Sequence, residues 1–243
     1  MKHVCISTGS FHQHFEGHDY HSRLKKCMNL KGIEGVELLF DVAEHLLHFE
    51  LTKEEIDFLK GLKFNTIHAP FFESHGKLAD YKDTQFYRKV MDKIYEIYDQ
   101  IGAHNINIHP EETSDYSIFR MKGYQYSIEN SPPKYGYSPE FYRNLLDENP
   151  HFKMVLDVSR AMEGNELNQL IQKFKKDIIY CHVCACTNGK QNLFLHNLPA
   201  DVLKSMESIK QLGSAFISET SYHYPIEFYQ KEINFLKKWL GRH

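Results

Sequence analysis

The amino-acid sequence predicts an α/β fold, a (β/α)8 TIM barrel. Three observations support this prediction. The chain has 243 residues, a usual size for one such barrel. Short apolar runs of strand length alternate with amphipathic runs of helix length, and this alternation repeats eight times. Strands that alternate with helices pair in parallel through right-handed crossovers, so the pattern predicts a closed parallel barrel.

The predicted strands are short apolar runs, and polar and turn-forming residues follow most of them. In chain order they lie near residues 3–8, 33–39, 64–68, 105–109, 125–129, 153–157, 178–183 and 215–219. An open doubly wound sheet is the alternative, but no GxGxxG phosphate loop follows the first strand. No Ser-, Gly- or Pro-rich linker interrupts the pattern, so we predict a single domain over residues 1–243.

The predicted helices carry apolar residues at three- and four-residue steps, as Val90, Ile94, Ile97 and Ile101 do. The segment 111–121 has the weakest helical pattern. In chain order the helices are predicted near 22–30, 53–61, 83–101, 111–121, 138–147, 163–175, 199–211 and 226–240.

Composition and charge are those of an ordinary globular protein, with 42% hydrophobic and 25% charged residues. No apolar run reaches the length of a membrane span and no signal peptide is apparent, so we expect a cytoplasmic protein. The net charge of −3 provides no general attraction for nucleic acid, which disfavours DNA as a partner without excluding a local basic groove. Five cysteines are an odd number, and we expect reduced thiols. The oligomeric state is left open.

Metal-type ligands stand at the carboxyl ends of the last six predicted strands. Because the carboxyl ends of barrel strands meet at one rim, these side chains are expected to converge. Unpaired carboxylates and imidazoles at a water-poor rim are costly, which favours a compensating divalent cation. The six candidate ligands are His68, His109, Glu129, Asp157, His182 and Glu219.

The order and spacing of several short segments resemble the xylose-isomerase-like TIM barrel superfamily. This superfamily includes the endonuclease IV family and sugar isomerases and epimerases, some acting on sugar phosphates. The segments are THAP, IHPE, IEN, LDVS, CHV, LH at 195–196 and SET, with VELLF fitting the second strand.

The resemblance implies a metal site and assigns its ligands. It implies that Glu129, Asp157, His182 and Glu219 hold one metal ion, as in the sugar isomerases. In the endonuclease branch, His68 and His109 would join Glu129 at a second ion. The mixture of carboxylates and imidazoles suits Zn, Mn, Co or Mg, so one or two ions of any of these remain open.

The chain departs from the resemblance at the third metal site of the endonuclease branch. Arg160 and Phe194 stand where ligands are expected, and only His196 is kept. A trinuclear site is therefore not predicted. An arginine at this place is suited to bind a phosphate or carboxylate of the substrate. The alternative is an arginine that simply pairs with Asp157 or Glu163.

Other residues are candidates for substrate binding or for a second kind of site. His196, Glu37 in the second strand and Lys190 in the seventh loop are predicted substrate contacts, although a structural role for each is open. Cys184 could add a thiolate ligand, but Cys181, Cys184 and Cys186 are read mainly as small apolar fillers. The first loop holds a histidine cluster that could bind a metal or an anion, namely His12, His14, His18 and His21.

Two chemistries and one inactive alternative fit this pattern. The favoured hypothesis is a metal-dependent isomerase or epimerase of a sugar or sugar phosphate, in which Glu129 and Glu219 exchange a carbon-bound proton while the metal stabilises the enediolate. The second is a zinc phosphodiesterase with a dinuclear site, as in the apurinic (AP) endonucleases. The third is a non-catalytic barrel whose site is empty or blocked by Arg160 or Phe194.

Overall fold

The computed structural model describes residues 2–14, 19–187, 190–220 and 224–242, apart from the side chains of residues 13, 14, 190 and 191. Eight parallel strands within these residues form a closed barrel in which chain neighbours are spatial neighbours and the last strand pairs with the first. The strands are β1 His3–Ser7, β2 Gly35–Leu39, β3 Thr66–His68, β4 Ile106–Ile108, β5 Tyr126–Glu129, β6 Phe152–Asp157, β7 Ile178–Val183 and β8 Ala215–Ser218.

The strand predictions are confirmed, with ends that differ by at most two residues. The strands are almost wholly buried, which explains why they read as continuous apolar runs. Their register sets the position of the polar residues, since Asp157 pairs with His182 across β6 and β7. Glu129 pairs with Val155, two residues before Asp157. The carboxyl ends of neighbouring strands therefore present their polar side chains at similar heights.

Helices surround the barrel, and local sequence sets where they begin and end. Thr52 and Glu55 form a capping box at the start of one helix, and Gly102 ends another in the left-handed conformation with φ 62°. The helices are α1 Tyr20–Met28, α2 Ala43–Leu46, α3 Lys53–Lys60, α4 Gln85–Ile101, α5 Pro139–Glu148, α6 Val158–Glu163, α7 Leu167–Phe174, α8 Ala200–Ser205 and α9 Ile226–Trp239.

Two predicted helices differ in extent from those in the structure. The helix expected at 163–175 begins four residues later, as α7, because the chain turns at Asn165 with φ 55°; α6, which ends at Glu163, was not predicted. The helix expected at 199–211 is α8 followed by the 3-10 turn Glu207–Gln211. The apolar spacing continues from α8 into this turn, so periodicity alone did not reveal the break.

The prediction of a helix at 111–121 is wrong. The chain forms two short 3-10 turns there, Pro110–Glu112 and Tyr116–Phe119. The Asp115 side chain accepts a hydrogen bond from the backbone N of Ser117 at 2.8 Å, a local bond that competes with helix formation. Phe119 is fully buried among aromatic rings, so side-chain packing covers this part of the barrel wall.

Two hairpins extend from the carboxyl end of the barrel. Phe72–Ser74 pairs with Lys77–Leu78 after β3, and Ala185–Thr187 pairs with Lys190–Leu193 after β7. Inside the barrel, a small apolar cluster that includes Val155, Tyr180 and Ile217 lies among the strands. Among the described residues, no helix combines the length and apolar character needed to span a membrane.

Replacing Glu34 by glutamine is expected to lower stability at neutral pH, because this carboxylate joins β1, β2 and the segment after α9. It accepts hydrogen bonds from the backbone N of Val4 at 3.2 Å, from Lys63 Nζ at 3.1 Å and from Arg242 Nη2 at 2.8 Å. The bond from Arg242, with those from Val4 and Lys63, outweighs the effect of burial and lowers the pKa of Glu34 to about 2.

The expected loss for Glu34→Gln is about 1–2 kcal/mol at pH 7, after allowing for solvent screening. A carboxyl with a lowered folded-state pKa stabilises the fold above its unfolded pKa, and this contribution is lost as pH falls towards 2. Urea unfolding at pH 7 and pH 3 measures both values. Glu54→Gln, at an exposed position on α3, is the control. An equal difference between wild type and Glu34→Gln at the two pH values would contradict the assignment.

Candidate metal centre

The six predicted ligands converge at the carboxyl end of the barrel in two groups that share Glu129. The first group is Glu129, Asp157, His182 and Glu219, and the second group is His68, His109 and Glu129. Within each group the ligand atoms all lie within 4.8 Å of one another. Five of the six residues are buried, and the Glu219 side chain is 16% exposed. The convergence predicted from strand order is therefore what the structure shows.

The first group contains a buried nitrogen without a hydrogen bond. Nδ1 of His182 makes no hydrogen bond among the described residues, yet it lies 3.1 Å from Oε2 of Glu129 and 3.1 Å from Oε2 of Glu219. On the other side of the ring, Nε2 contacts Glu37 Oε2 at 3.1 Å. If Nε2–H donates to Glu37, the Nδ1 lone pair faces two carboxylates. A divalent cation fits this arrangement, since it satisfies all three.

Glu37 holds the His182 ring in place through its contact with Nε2. It is fully buried, and its Oε2 accepts hydrogen bonds from Thr66 Oγ1 at 3.2 Å and from Tyr180 OH at 3.1 Å. Burial opposes its ionisation, but the adjacent His182 lowers its pKa. From the sequence, Glu37 was either a substrate contact or a residue hydrogen-bonded within the barrel, and the structure shows it in contact with His182. A carboxylate on the far nitrogen of a ligand histidine fixes the ring and its tautomer.

The second group has the spacing of a tetrahedral metal site. The Nε2 atoms of His68 and His109 are 3.2 Å apart, and each lies 3.4 Å from Oε2 of Glu129. Ligands bound at about 2.0–2.1 Å in a tetrahedral zinc site stand about 3.3 Å apart. The Nδ1 atoms contact Ala69 O at 2.9 Å and Glu112 Oε1 at 3.0 Å. If each Nδ1 carries a proton and donates to these oxygens, both Nε2 lone pairs are free to bind one ion.

Sequence reasoning missed two residues that position the ligands. Glu112 orients His109, and its spacing of three residues after that histidine in a proline-initiated turn was an available signal. Asn107 is buried, and its side-chain amide donates a hydrogen bond to Oε2 of Glu129. Nothing in the sequence distinguished Asn107 from an ordinary interior residue of β4.

Arg160 lies between the ligands. Its Nη1 is 2.7 Å from Oε1 of Glu129 and 3.0 Å from Nε2 of His109. Its Nε is 3.1 Å from Oδ2 of Asp157. The structure thus shows pairing with Asp157 and Glu129, and binding of a substrate phosphate or carboxylate by Arg160 stays a prediction. Phe194, the other residue considered as a block, is buried among Tyr224, Phe228 and Tyr229.

The carboxylates of the first group lie close enough to shift one another's pKa values. Burial, Glu129 and Glu219 raise the pKa of Asp157 to about 6, against the opposing effect of Arg160. Burial also acts on Glu129, but His182, Arg160 and His109 hold its pKa well below the usual range. The group thus concentrates negative charge in a dry environment, which is a setting suited to a divalent cation.

A cavity of about 550 Å³ opens above the ligands, a usual volume for a small-molecule site. Asp157, Arg160 and Glu219 line it, whereas Glu129 does not. The remaining lining comes mainly from loops after the first three strands and from both hairpins: Gly9, His12, Leu39, Asp41, Val42, Phe71, Phe72, His75, Gly76, Pro132, Ser159 and Asn192.

His196 and Cys184 belong to neither ligand group. His196 contacts Glu232 through Nδ1 at 2.7 Å and does not line the cavity. Lys190 begins a hairpin strand, but its side chain lies outside the described part of the chain. Burial, Asp157 and Glu219 raise the pKa of Cys184 well above its usual value, which opposes a thiolate. All five cysteines are free.

The histidines of the first loop do not form one cluster in the described residues. His12 lies 3.4 Å from Asp41 Oδ2, and His21 lies 2.8 Å from Glu55 Oε1. His18 and the side chain of His14 fall outside the part of the chain that the structure describes. Of the two histidines of this cluster whose side chains are described, His12 lines the cavity and His21 does not.

Replacing Glu37 by glutamine is expected to weaken binding of a divalent ion to the first group by about 10- to 100-fold, because the charge that polarises His182 is lost. Zinc titration of the metal-stripped protein, by calorimetry or against a chelating dye, measures this. Glu112→Gln is the matched control, since it alters the equivalent contact to His109. An equal loss of affinity for the tightest ion in both variants would contradict the assignment.

In comparisons with known proteins, the chain is similar to solved structures in fold but has little sequence similarity to them. No protein-family profile matches the chain, and no curated protein matches it in sequence. A D-tagatose 3-epimerase-like protein superposes with TM-score 0.67 and 15% identity, covering 98% of this chain and 97% of that one. An L-ribulose 3-epimerase gives 0.64 and 12%, covering 99% and 95%. A Thermus thermophilus protein soaked with ZnCl2 gives 0.62 and 13%, covering 98% of this chain and 97% of that one. The chain thus shares the TIM-barrel fold of these proteins.

Proposed function

We propose that the protein is a divalent-metal-dependent isomerase or epimerase of a small sugar or sugar phosphate. The observation that carries this proposal is that Glu129 and Glu219 each lie 3.1 Å from the same unpaired nitrogen of His182. Two carboxylates thereby flank one candidate ion position beneath a cavity of about 550 Å³. Sugar epimerases among the proteins of similar fold support the substrate class.

Four residues would hold the ion: Glu129, Asp157, His182 and Glu219. Three carboxylates and one imidazole suit Mn, Co, Mg or Zn. The ion would supply Lewis-acid stabilisation of the negative charge that develops on the carbonyl and hydroxyl oxygens of the substrate. The fold neighbour soaked with ZnCl2 makes zinc a natural first choice for reconstitution.

The two glutamates would carry the proton. Glu219 lines the cavity, so we assign it removal of the proton from the substrate carbon next to the carbonyl. Glu129 approaches the ion position from the side of β5 and would act on the opposite face of the substrate. Its lowered pKa keeps it ionised at neutral pH, and the neighbouring Arg160 contributes to that shift. Both carboxylates must be present for a complete turnover.

Solvent isotope exchange tests the proposal. The protein, stripped of metal and reloaded with Mn, Co, Mg or Zn, is incubated in D2O with neutral and phosphorylated ketoses and aldoses. We expect deuterium at the carbon next to the carbonyl, and loss of this exchange in Glu219→Gln. The preferred series shows whether the substrate carries phosphate. Absence of exchange with every sugar and every ion would refute the proposal.

A phosphodiesterase is a second candidate, and one observation favours it. The ligand atoms of His68, His109 and Glu129 have the spacing of a tetrahedral metal site, which a one-ion isomerase does not need. Two ions would then flank a phosphodiester. Hydrolysis of a small nitrophenyl phosphodiester or of abasic DNA, abolished in His109→Ala, would support it. Isotope exchange that persists in His109→Ala would favour the isomerase.

A further inference from the structure

We propose that Arg160 takes the place of a second metal ion and limits the centre to one divalent ion. The inference rests on the proposed function, because it takes the ligand group of Glu129, Asp157, His182 and Glu219 as the working site. It assigns Arg160 a role in setting the number of ions, separate from any contact with substrate.

The position of the guanidinium carries the inference. The three ligand atoms of the second group form a triangle with sides of 3.2, 3.4 and 3.4 Å. Nη1 of Arg160 contacts two of the three residues that form this triangle, at 3.0 Å from His109 Nε2 and 2.7 Å from Glu129 Oε1. The guanidinium therefore already contacts one of the three ligand atoms, His109 Nε2, and the second carboxylate oxygen of Glu129.

Hydrogen bonding and charge make the Arg160 guanidinium and a second metal ion compete for the same place. An arginine N–H can only donate, so the contact with His109 engages the Nε2 lone pair that a metal requires. An ion bound to His109 would break this contact and place a divalent charge within a few ångströms of the guanidinium. The arginine already compensates part of the charge of Glu129, which lowers the need for another cation.

The local fold holds the arginine in this position. Helix α6 begins directly after β6, and Asp157 Oδ1 accepts a hydrogen bond from the backbone N of Arg160 at 2.9 Å. Oδ2 of the same carboxylate lies 3.1 Å from Arg160 Nε. The carbonyl of Asn130 accepts a further bond from Nη1 at 3.4 Å. Asp157 thus holds the backbone and Nε of Arg160, while Nη1 contacts both Asn130 O and His109 Nε2.

Removal of the arginine would leave a second site with its ligands still oriented. His68 is positioned through Ala69 O and His109 through Glu112, and neither contact involves Arg160. We therefore expect wild type to bind one ion per chain tightly and Arg160→Ala to bind two. Arg160→Lys, which keeps a positive charge, should stay at one ion.

Metal content after equilibrium dialysis against zinc, measured by inductively coupled plasma mass spectrometry on the full chain, tests the inference. In the double variant Arg160→Ala with His109→Ala, the count should return from two to one. The control is Arg143→Ala, which removes an arginine of α5 that pairs with Asp147 and Asp177. This variant should keep one ion. Arg160→Gln repeats the test if the alanine variant fails to fold.

The outcomes separate this inference from the proposed function. Two ions in wild type, with the second lost in His109→Ala, would overturn the role of Arg160 and leave the first site intact. One ion in wild type, Arg160→Ala and Arg160→Gln alike would also overturn it without touching the isomerase proposal. No tightly bound ion in wild type would reject both.

Discussion

Replacing Glu129 by glutamine is expected to lower turnover by about 10³- to 10⁴-fold, because one residue serves two purposes. It belongs to both ligand groups and is one of the two proposed proton carriers. Glutamine keeps the size of the side chain but cannot accept a proton at neutral pH and is a weaker ligand. Turnover of the best sugar from the isotope-exchange panel, measured together with metal content, gives the effect.

The control for this variant is Glu163→Gln, which neutralises an exposed carboxylate on α6. It should keep wild-type turnover and one bound ion. Far-ultraviolet circular dichroism shows whether the Glu129 variant keeps its fold. A folded Glu129→Gln protein that retains turnover within about tenfold of wild type would exclude Glu129 as a proton carrier.

Replacing Arg23 by alanine is expected to lower the free energy of unfolding by about 3–5 kcal/mol, the usual cost of breaking a buried ion pair by removing one partner. The Arg23 side chain is fully buried, and its Nη1 lies 2.6 Å from Oδ2 of Asp41. Burial disfavours the Asp41 charge, but His12 and Arg23 outweigh it and lower the pKa of Asp41 to about 2. Without the arginine, the nearly buried Asp41 carboxylate loses its principal cationic partner.

Urea unfolding at pH 7 measures this loss. Lys25→Ala, an exposed lysine on the same helix, is the matched control and should change stability by less than about 0.5 kcal/mol. The double variant Arg23→Ala with Asp41→Asn should recover part of the loss, since the uncompensated charge is gone. A cost below about 1 kcal/mol for Arg23→Ala would show that water reaches Asp41 and compensates it.

The barrel and the meeting of its ligands could be predicted from sequence because both follow from short-range patterns. Each strand is a continuous apolar run, and a polar residue directly after it must lie at the carboxyl rim of a parallel barrel. Asp157 and His182 illustrate this, since they pair across neighbouring strands in register. Their order along the chain was enough to place them together, although their roles as ligands remain a prediction.

The contacts that determine what the centre can do depend on side-chain direction, which the patterns do not contain. Nothing in the sequence shows that Arg160, which lines the cavity, also contacts Glu129. Glu37 sits in a strand where alternation allows either a substrate contact or an interior bond, and the barrel geometry selects the bond to His182. The helix expected at 111–121 failed because local side-chain bonds and aromatic packing override a weak apolar period.

The connection from β4 to β5, all of whose residues the structure describes, forms 3-10 turns without an α-helix, and this has a consequence for local dynamics. His109 and Glu112 lie at its start, and ring packing around Phe119 holds its far part. Because few of its backbone amides form helical hydrogen bonds, we expect this segment to open locally at a lower free-energy cost than global unfolding. Such a partial opening would carry His109 away from Glu129, while Asp157, His182 and Glu219 stay at the ends of the barrel strands.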